Sequence, residues 1–292
     1  MSTWQFGDVR VDRVLEFEQA LLSWQHIFPA ATAPSVDRQR EWLEPHWIEP
    51  GGDRLILAFH SFLIRSGGRT ILVDTCGGND KPRPQKPRYH KAHWPYLERL
   101  AATGVGPEQI DYVLCTHLHV DHVGWNTRLI DGRWVPTFPN AKYLFAREEW
   151  AYWSAHYGTE AFRDDPYYVD SILPVIEAGQ AQFVESDFAF DDHVRLVPSA
   201  GHTPGHVSVH IRSGGHECIM TGDMMHHPLQ VAEPDWSSCF CVDPARSAST
   251  RRSFFTQHEG TPTIVLPAHF ATPTAGTIVR HGNSWRYRFS GT

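Results

Sequence analysis

The chain contains no apolar run of 18 residues and so offers no helix able to span a bilayer. Its opening Ser2-Thr3-Trp4-Gln5-Phe6-Gly7-Asp8 has neither a basic start nor an apolar core, so no secretory signal is expected. Cysteine is sparse. Cys76, Cys115, Cys218, Cys239 and Cys241 are an odd number without a regular framework, which argues against a disulfide scaffold and predicts a cytoplasmic protein. The Cys239-x-Cys241 spacing is too short for the usual C-x₂-C metal pair, and Cys115 and Cys218 lie in apolar runs as small buried residues. Positive charge is in deficit: 26 Lys and Arg against 33 Asp and Glu leave a formal net charge of −7, which excludes a general nucleic-acid surface. No segment repeats at a solenoid period. These absences leave 292 residues, enough to bury a sizeable core in one large domain.

Histidine is abundant, and its placement is informative. His117-Leu118-His119-Val120-Asp121-His122 puts three imidazoles and a carboxylate within six residues, directly after the apolar run Asp111 to Thr116, which reads as a buried strand. Imidazole nitrogens and carboxylate oxygens are the ligands that zinc, iron and manganese accept. Four donors so close together crowd a single ion and suggest two ions side by side. More donors follow. Gly201-His202-Thr203-Pro204-Gly205-His206 comes after Val194 to Val197, Gly222-Asp223 ends the run from Cys218, and His269 ends the run from Thr263. Each candidate ligand sits just past an apolar run, where a sheet delivers its strand ends to one edge. Asp121 also suits a helix N-cap, Asp223 a turn and His206 a supporting role behind the ligands.

The HLHVDH run, GHTPGH, TGD and PAH, in that order from about Leu55 to about His269, resemble the metallo-β-lactamase-fold hydrolases. That resemblance implies an α/β chain folded as a four-layer αβ/βα sandwich, with two pseudo-halves at about 1–180 and 181–292. It implies that His117, His119 and His202 hold a first metal, that Asp121, His122 and His269 hold a second, and that Asp223 bridges them with a water or hydroxide. The cofactors it implies are two divalent ions, zinc first, with manganese, iron or cobalt as alternatives.

Elementary chemistry says what such a pair does. Two cations roughly 3.5–4 Å apart lower the pKa of a shared water from about 15.7 towards about 7 and clamp the attacking and leaving oxygens. The reaction class is hydrolysis of an ester, lactone, amide, thioester or phosphoester. The resemblance runs towards the lactonase, arylesterase and organophosphate-hydrolase branches. Many quorum-quenching lactonases of this fold carry a Tyr three residues after the bridging Asp. Here that position is His226, which is expected to orient a carbonyl or protonate an alkoxide, with Asp121 as the other proton-handling candidate. His226 and His227, with Trp236 and Phe240, are the expected substrate contacts.

The rest of the chain frames this site. Leu55 to Ile64 and Thr70 to Asp74 read as strands about a Ser66-Gly67-Gly68-Arg69 turn, and Ala141 to Phe145 as another. Helices are expected over Trp94 to Ala102, with Leu97 and Leu100 inward, over Glu148 to His156, and over Tyr167 to Glu177, where Pro174 should kink or interrupt the run. Within the 77–93 loop, Lys81 to Lys91 holds three prolines and five basic residues, a solvated loop or an active-site rim. The segment 21–47, with Trp24, Phe28, Trp42 and Trp47, suits core, a homodimer contact or an apolar substrate wall. A small molecule is the expected partner, not nucleic acid or membrane. Phosphotriesters, aryl esters and thioesters are alternatives to an ester or lactone. A nuclease would need a basic groove or an added RNA-binding domain. A mononuclear iron oxidoreductase on the same fold would have no use for the Asp121, His122 and His269 set.

Overall fold

A computed structural model of the chain describes residues 2–157, 159 and 166–290. Strands β1 (Thr3–Phe6), β2 (Val9–Ser23), β3 (Arg54–Ser66), β4 (Arg69–Val73), β5 (Tyr112–Cys115), β6 (Thr127–Ile130), β7 (Arg133–Pro136), β8 (Lys142–Ala146) and β9 (Ala181–Val184) occupy the first part of the chain. Strands β10 (Val194–Pro198), β11 (Val207–Ser213), β12 (His216–Gly222), β13 (Ile264–Pro267), β14 (Gly276–His281) and β15 (Ser284–Phe289) follow. They form a seven-stranded sheet in the order β1-β2-β3-β4-β5-β8-β9, a six-stranded sheet running in order from β10 to β15, and a β6-β7 ribbon. Strand β9 thus joins the first sheet, a few residues beyond the division near residue 180 expected from the sequence.

Side-chain alternation builds the layers. Along β5, Val113 and Cys115 point to one face and Leu114 to the other, and all three are fully buried. The Val113 face packs under helices through Tyr96, Leu100 and Val175. The Leu114 face packs with Ile64, Ile71 and Leu144 against Val209, Ile211 and Met220 of the second sheet. The far side of that second sheet offers Ile219 and Val265 to Phe254 and Phe255 of the helix Pro244–His258. Helix, sheet, sheet, helix is the four-layer αβ/βα sandwich. Strands covered on both faces read as continuous apolar runs, which is why β5 and β13 stand out in the sequence.

The three expected helices form, one of them with a refinement, and the longest helix among the described residues, Pro244–His258, was not foreseen from the sequence. Tyr96–Ala101 buries Leu100 and leaves Leu97 half-buried. The Tyr167 to Glu177 stretch divides into a π-turn, Tyr168–Ile172, and an α-helix, Leu173–Glu177. The Leu173 N–H reaches back five residues to the Tyr168 carbonyl. Pro174 lacks an N–H to continue the ladder and instead opens the second helix, where none is needed. The aromatics of the 21–47 segment resolve as core. Trp24, Phe28 and Trp47 are buried against Leu55 and Leu57, and Trp42 packs on the same cluster. No helix among the described residues is long and apolar enough to cross a membrane.

Candidate metal centre

The 117–122 segment leaves β5, the 201–206 segment lies between β10 and β11, Asp223 follows β12 and His269 follows β13. All four reach the same edge of the sandwich, the first from one sheet and the other three from the second. Two features hold the segments in place. Gly222 adopts φ +51°, and a Cβ there would come within 2.6 Å of His206 Nε2. Gly205 passes so close to the backbone of Glu149 that a Cβ would lie 2.1 Å from its nitrogen.

Seven side chains converge. His202 Nε2 lies 3.2 Å from His117 Nε2 and 2.8 Å from His119 Nδ1. Asp223 faces both sides. Its Oδ2 is 3.6 Å from His117 Nε2 and 3.3 Å from His202 Nε2, while its Oδ1 is 3.3 Å from His122 Nε2 and 3.0 Å from His269 Nε2. Asp121 adds Oδ1 at 4.0 Å from His122 Nε2 and Oδ2 at 3.7 Å from His269 Nε2. Within each set, His117-His119-His202-Asp223 and Asp121-His122-His269, the donor atoms lie within 4.8 Å of one another.

The donor set fits a metal pair. His122 Nε2 and Asp223 Oδ1 are buried without a hydrogen-bond partner among the described residues, a costly state unless a cation takes their lone pairs. Burial holds His117 and His202 well below the usual imidazole range and His119 down to about 4, so all three are neutral, the form that ligates. Burial also disfavours charge on His122 and His269, but Asp223, with Asp74 and Asp121 beside His122 and Asp121 beside His269, outweighs it and raises both. For Asp223, burial favours the neutral acid, yet His122, His269, His226 and His117 hold its carboxyl well below the carboxylate range.

A ring of partners behind the cluster aims it. Asp74 accepts from the Thr116 N–H at 2.7 Å, the Thr116 hydroxyl at 2.9 Å and His122 Nδ1 at 2.9 Å. Thr116 Oγ1 in turn meets His117 Nδ1 at 3.1 Å, so one carboxylate orients histidines of both sets. His269 Nδ1 donates to the Ala58 carbonyl at 3.0 Å. The buried Glu149 carboxylate accepts from Leu118 N–H at 2.9 Å, Gly205 N–H at 3.1 Å and Trp153 Nε1 at 2.5 Å, tying the 117–122 and 201–206 segments together. His206 stands behind the ligands: burial lowers its pKa to about 3, and Nε2 accepts the Asp223 N–H at 3.0 Å.

The cluster floors a cavity of about 500 Å³. Leu21, Leu22 and His26 form one wall, Leu57 and Phe59 another, and Gln85 to Tyr89 a third, so the 81–91 loop is a rim. Phe240 and His226 also line it. His226 is buried; neither ring nitrogen has a hydrogen-bond partner among the described residues, and Nε2 lies 3.2 Å from Asp223 Oδ2.

Two expected substrate contacts lie elsewhere. His227 points away: Nε2 donates to the Trp47 carbonyl at 2.7 Å and Nδ1 accepts the Leu229 N–H at 3.1 Å, since adjacent side chains on an extended segment diverge. Trp236 is core, buried against Phe28 at 6.2 Å between ring centroids, with its carbonyl taken by Gln230 and Arg251. Sequence reasoning missed Asp74 as an orienting group, and it missed Glu149 and the pocket phenol Tyr89. Asp74 alone carried a signal, being at a strand end like the ligands.

Comparison with known proteins identifies the family and the fold. The family model of the Metallo-beta-lactamase superfamily matches residues 59–269. An N-acyl homoserine lactonase, AttM of Rhizobium radiobacter, is 27% identical over 221 residues, covering 68% of this chain and 78% of its own length. Among solved structures, the hydrolase AbOPH of the beta lactamase superfamily superposes with a TM-score of 0.81 at 22% identity, covering 99% of this chain and 97% of that one. The dizinc quorum-quenching lactonase AidC, in complex with a product, gives a TM-score of 0.76 at 18% identity, covering 100% and 97%.

Proposed function

The chain belongs to the metallo-beta-lactamase superfamily and is a metal-dependent hydrolase of that fold, and from that premise we propose that it opens esters or lactones at a pair of divalent ions. The observation that carries the dinuclear reading is Asp223, whose two oxygens face two separate histidine sets. In this reading His117, His119 and His202 hold one ion, Asp121, His122 and His269 the other, and Asp223 both. The ions, when bound, supply an activated water and polarise the scissile carbonyl. Zinc suits the all-nitrogen-and-carboxylate set, and manganese, iron or cobalt would also be accepted.

The chain's own residues do the rest. The apolar walls of Leu57, Phe59 and Phe240 bind the hydrocarbon part of the substrate and exclude water from it. His226, buried in the cavity with no hydrogen-bond partner for its ring nitrogens among the described residues, hydrogen-bonds the leaving oxygen and gives it a proton at that atom. Asp121, at the mouth and partly exposed, is the alternative proton carrier. The completeness of the Asp121, His122 and His269 set supports hydrolysis over mononuclear iron oxidation. The lactonase relative and the volume and apolar lining of the cavity support a small ester or lactone with an apolar tail.

The test is elemental analysis of the purified chain, followed by assay of lactones, aryl esters, thioesters and phosphotriesters with and without a chelator. The expected result is two ions per chain and chelator-sensitive turnover of lactones or esters. Undiminished turnover without metal would overturn the reading, and one iron per chain with no hydrolysis would replace it by oxidation.

A further inference from the structure

The segment after Trp236 carries two cysteines that the site described above does not use. Cys239 is exposed, and its backbone N–H donates to the Ile27 carbonyl at 2.8 Å. Cys241 is placed differently. It is half-buried, with Sγ 3.6 Å from His202 Nδ1, 3.5 Å from Ser238 Oγ and 3.5 Å from Ser247 Oγ. The backbone brings it there. The Val242 N–H donates to the His202 carbonyl at 2.8 Å and the Asp243 N–H to the Gly201 carbonyl at 3.0 Å, so this strip runs alongside the 201–202 turn. Asp243 then caps the helix Pro244–His258, accepting the Arg246 N–H at 2.9 Å and fixing the strip from its other end.

The contact matters because of what the other imidazoles do. A ligand histidine is aimed by the partner of its far ring nitrogen, which fixes both tautomer and ring angle. His117 rests on the Thr116 hydroxyl, His122 on the Asp74 carboxylate and His269 on the Ala58 carbonyl, all oxygens. His202 meets sulfur, a weak acceptor. We propose that Cys241 is the positioning residue for His202. Its sulfur accepts the Nδ1–H and leaves the Nε2 lone pair turned towards His117 and His119. The inference rests on reading His202 as a ligand. It gives His202 a softer hold than the Thr116 hydroxyl gives His117, and it confines the consequence of losing Cys241 to one of two ions.

The test uses zinc-loaded protein and a chromophoric chelator that reports release over time. Wild type, Cys241→Ala, Cys241→Ser and Cys239→Ala are compared, with thermal melting of each apo form to confirm folding. Cys241→Ala should release one of two zinc ions about 10–100-fold faster while the other leaves at its usual rate. Cys241→Ser, whose hydroxyl still accepts, should fall between Cys241→Ala and wild type, and Cys239→Ala should match wild type. Equal rates for Cys241→Ala and wild type would overturn the proposal and leave the metal reading intact. Failure of wild type to retain zinc would overturn both. If Cys241→Ser and Cys241→Ala release equally fast, the thiol serves only as packing and the positioning role is wrong.

Discussion

His226 is a buried imidazole with no hydrogen-bond partner for either nitrogen among the described residues, set in the wall of a cavity and beside the carboxylate that faces both histidine sets. Polar groups in that state are usually waiting for something. If the leaving oxygen is what His226 meets, His226→Ala keeps both ions and lowers kcat by about 10²–10⁴. The loss should be greater for alkoxide leaving groups than for activated aryl esters, which need little protonation. Steady-state kinetics across a leaving-group series checks this, and a loss that ignores leaving-group pKa would move the proton to Asp121. Asp223 makes a different prediction. Its two oxygens serve both sets, so Asp223→Asn should drop the metal content below two per chain along with the rate, whereas loss of a mere turn residue would cost only about 1 kcal/mol of stability. Elemental analysis beside a denaturation curve separates the two outcomes.

At the scale of the element, the rim formed by residues 81–91 is held at its root. Arg83 donates to both oxygens of Asp170, at 2.6 and 2.7 Å, and both groups are buried. Lys81 donates to Thr127 Oγ1 at 2.5 Å and to the Asp170 carbonyl at 3.0 Å, with its ammonium 3.7 Å from the centre of the Trp134 ring. Arg83→Met should free this rim without touching the metal site. Metal content should stay unchanged and KM should rise by about tenfold, equivalent to ~1.4 kcal/mol of lost preorganisation. Kinetics with metal analysis on the same sample checks it, and a fall in metal content would show that the rim also supports the ligands. The contrast between rim and floor explains what the sequence discloses. The floor is legible because each of its side chains follows an apolar strand, and strand ends in a sandwich share an edge. The rim's root is not, because Asp170 stands 87 residues from Arg83 and nothing in local spacing announces the pairing. Glu149 is hidden for the same reason: its partners are backbone N–H groups of two distant turns. His227 and Trp236 show the converse. Both residue types suit a pocket, and only packing reveals that they face the core.

For the whole molecule, two buried charges set a dependence on pH. Burial raises the Glu16 carboxyl to about 7, although the Gly77 and Gly78 N–H groups and Trp125 Nε1 donate to it. Burial likewise lowers the Lys81 ammonium to about 7. The signs are opposite in effect. For Glu16 the folded chain binds more protons than the unfolded one between 4.5 and about 7, so its contribution falls as pH rises through that window. For Lys81 the unfolded chain binds more between about 7 and 10.5, so its contribution grows as pH rises and is lost as pH falls through 7. Relative to a Glu16→Gln, Lys81→Met variant, wild type should therefore be least stable near neutrality and gain on either side. Urea unfolding at a series of pH values checks the sign, and a flat difference would mean that neither group keeps its proton as burial dictates.

His117, His119 and His122 lie on the first sheet's side of the sandwich, whereas His202, Asp223 and His269 lie on the second's. An ion seated among them would act as a rivet between the two sheets. Unfolding must then expel whatever is held, and the free energy of unfolding should climb with the logarithm of free metal concentration. The slope counts the rivets: one ion adds ~1.4 kcal/mol for each tenfold rise, and two add twice that. A denaturation midpoint followed across buffered zinc concentrations would thus report stoichiometry without any substrate being known. A slope near a single ion would mean that one of the two sets fastens nothing.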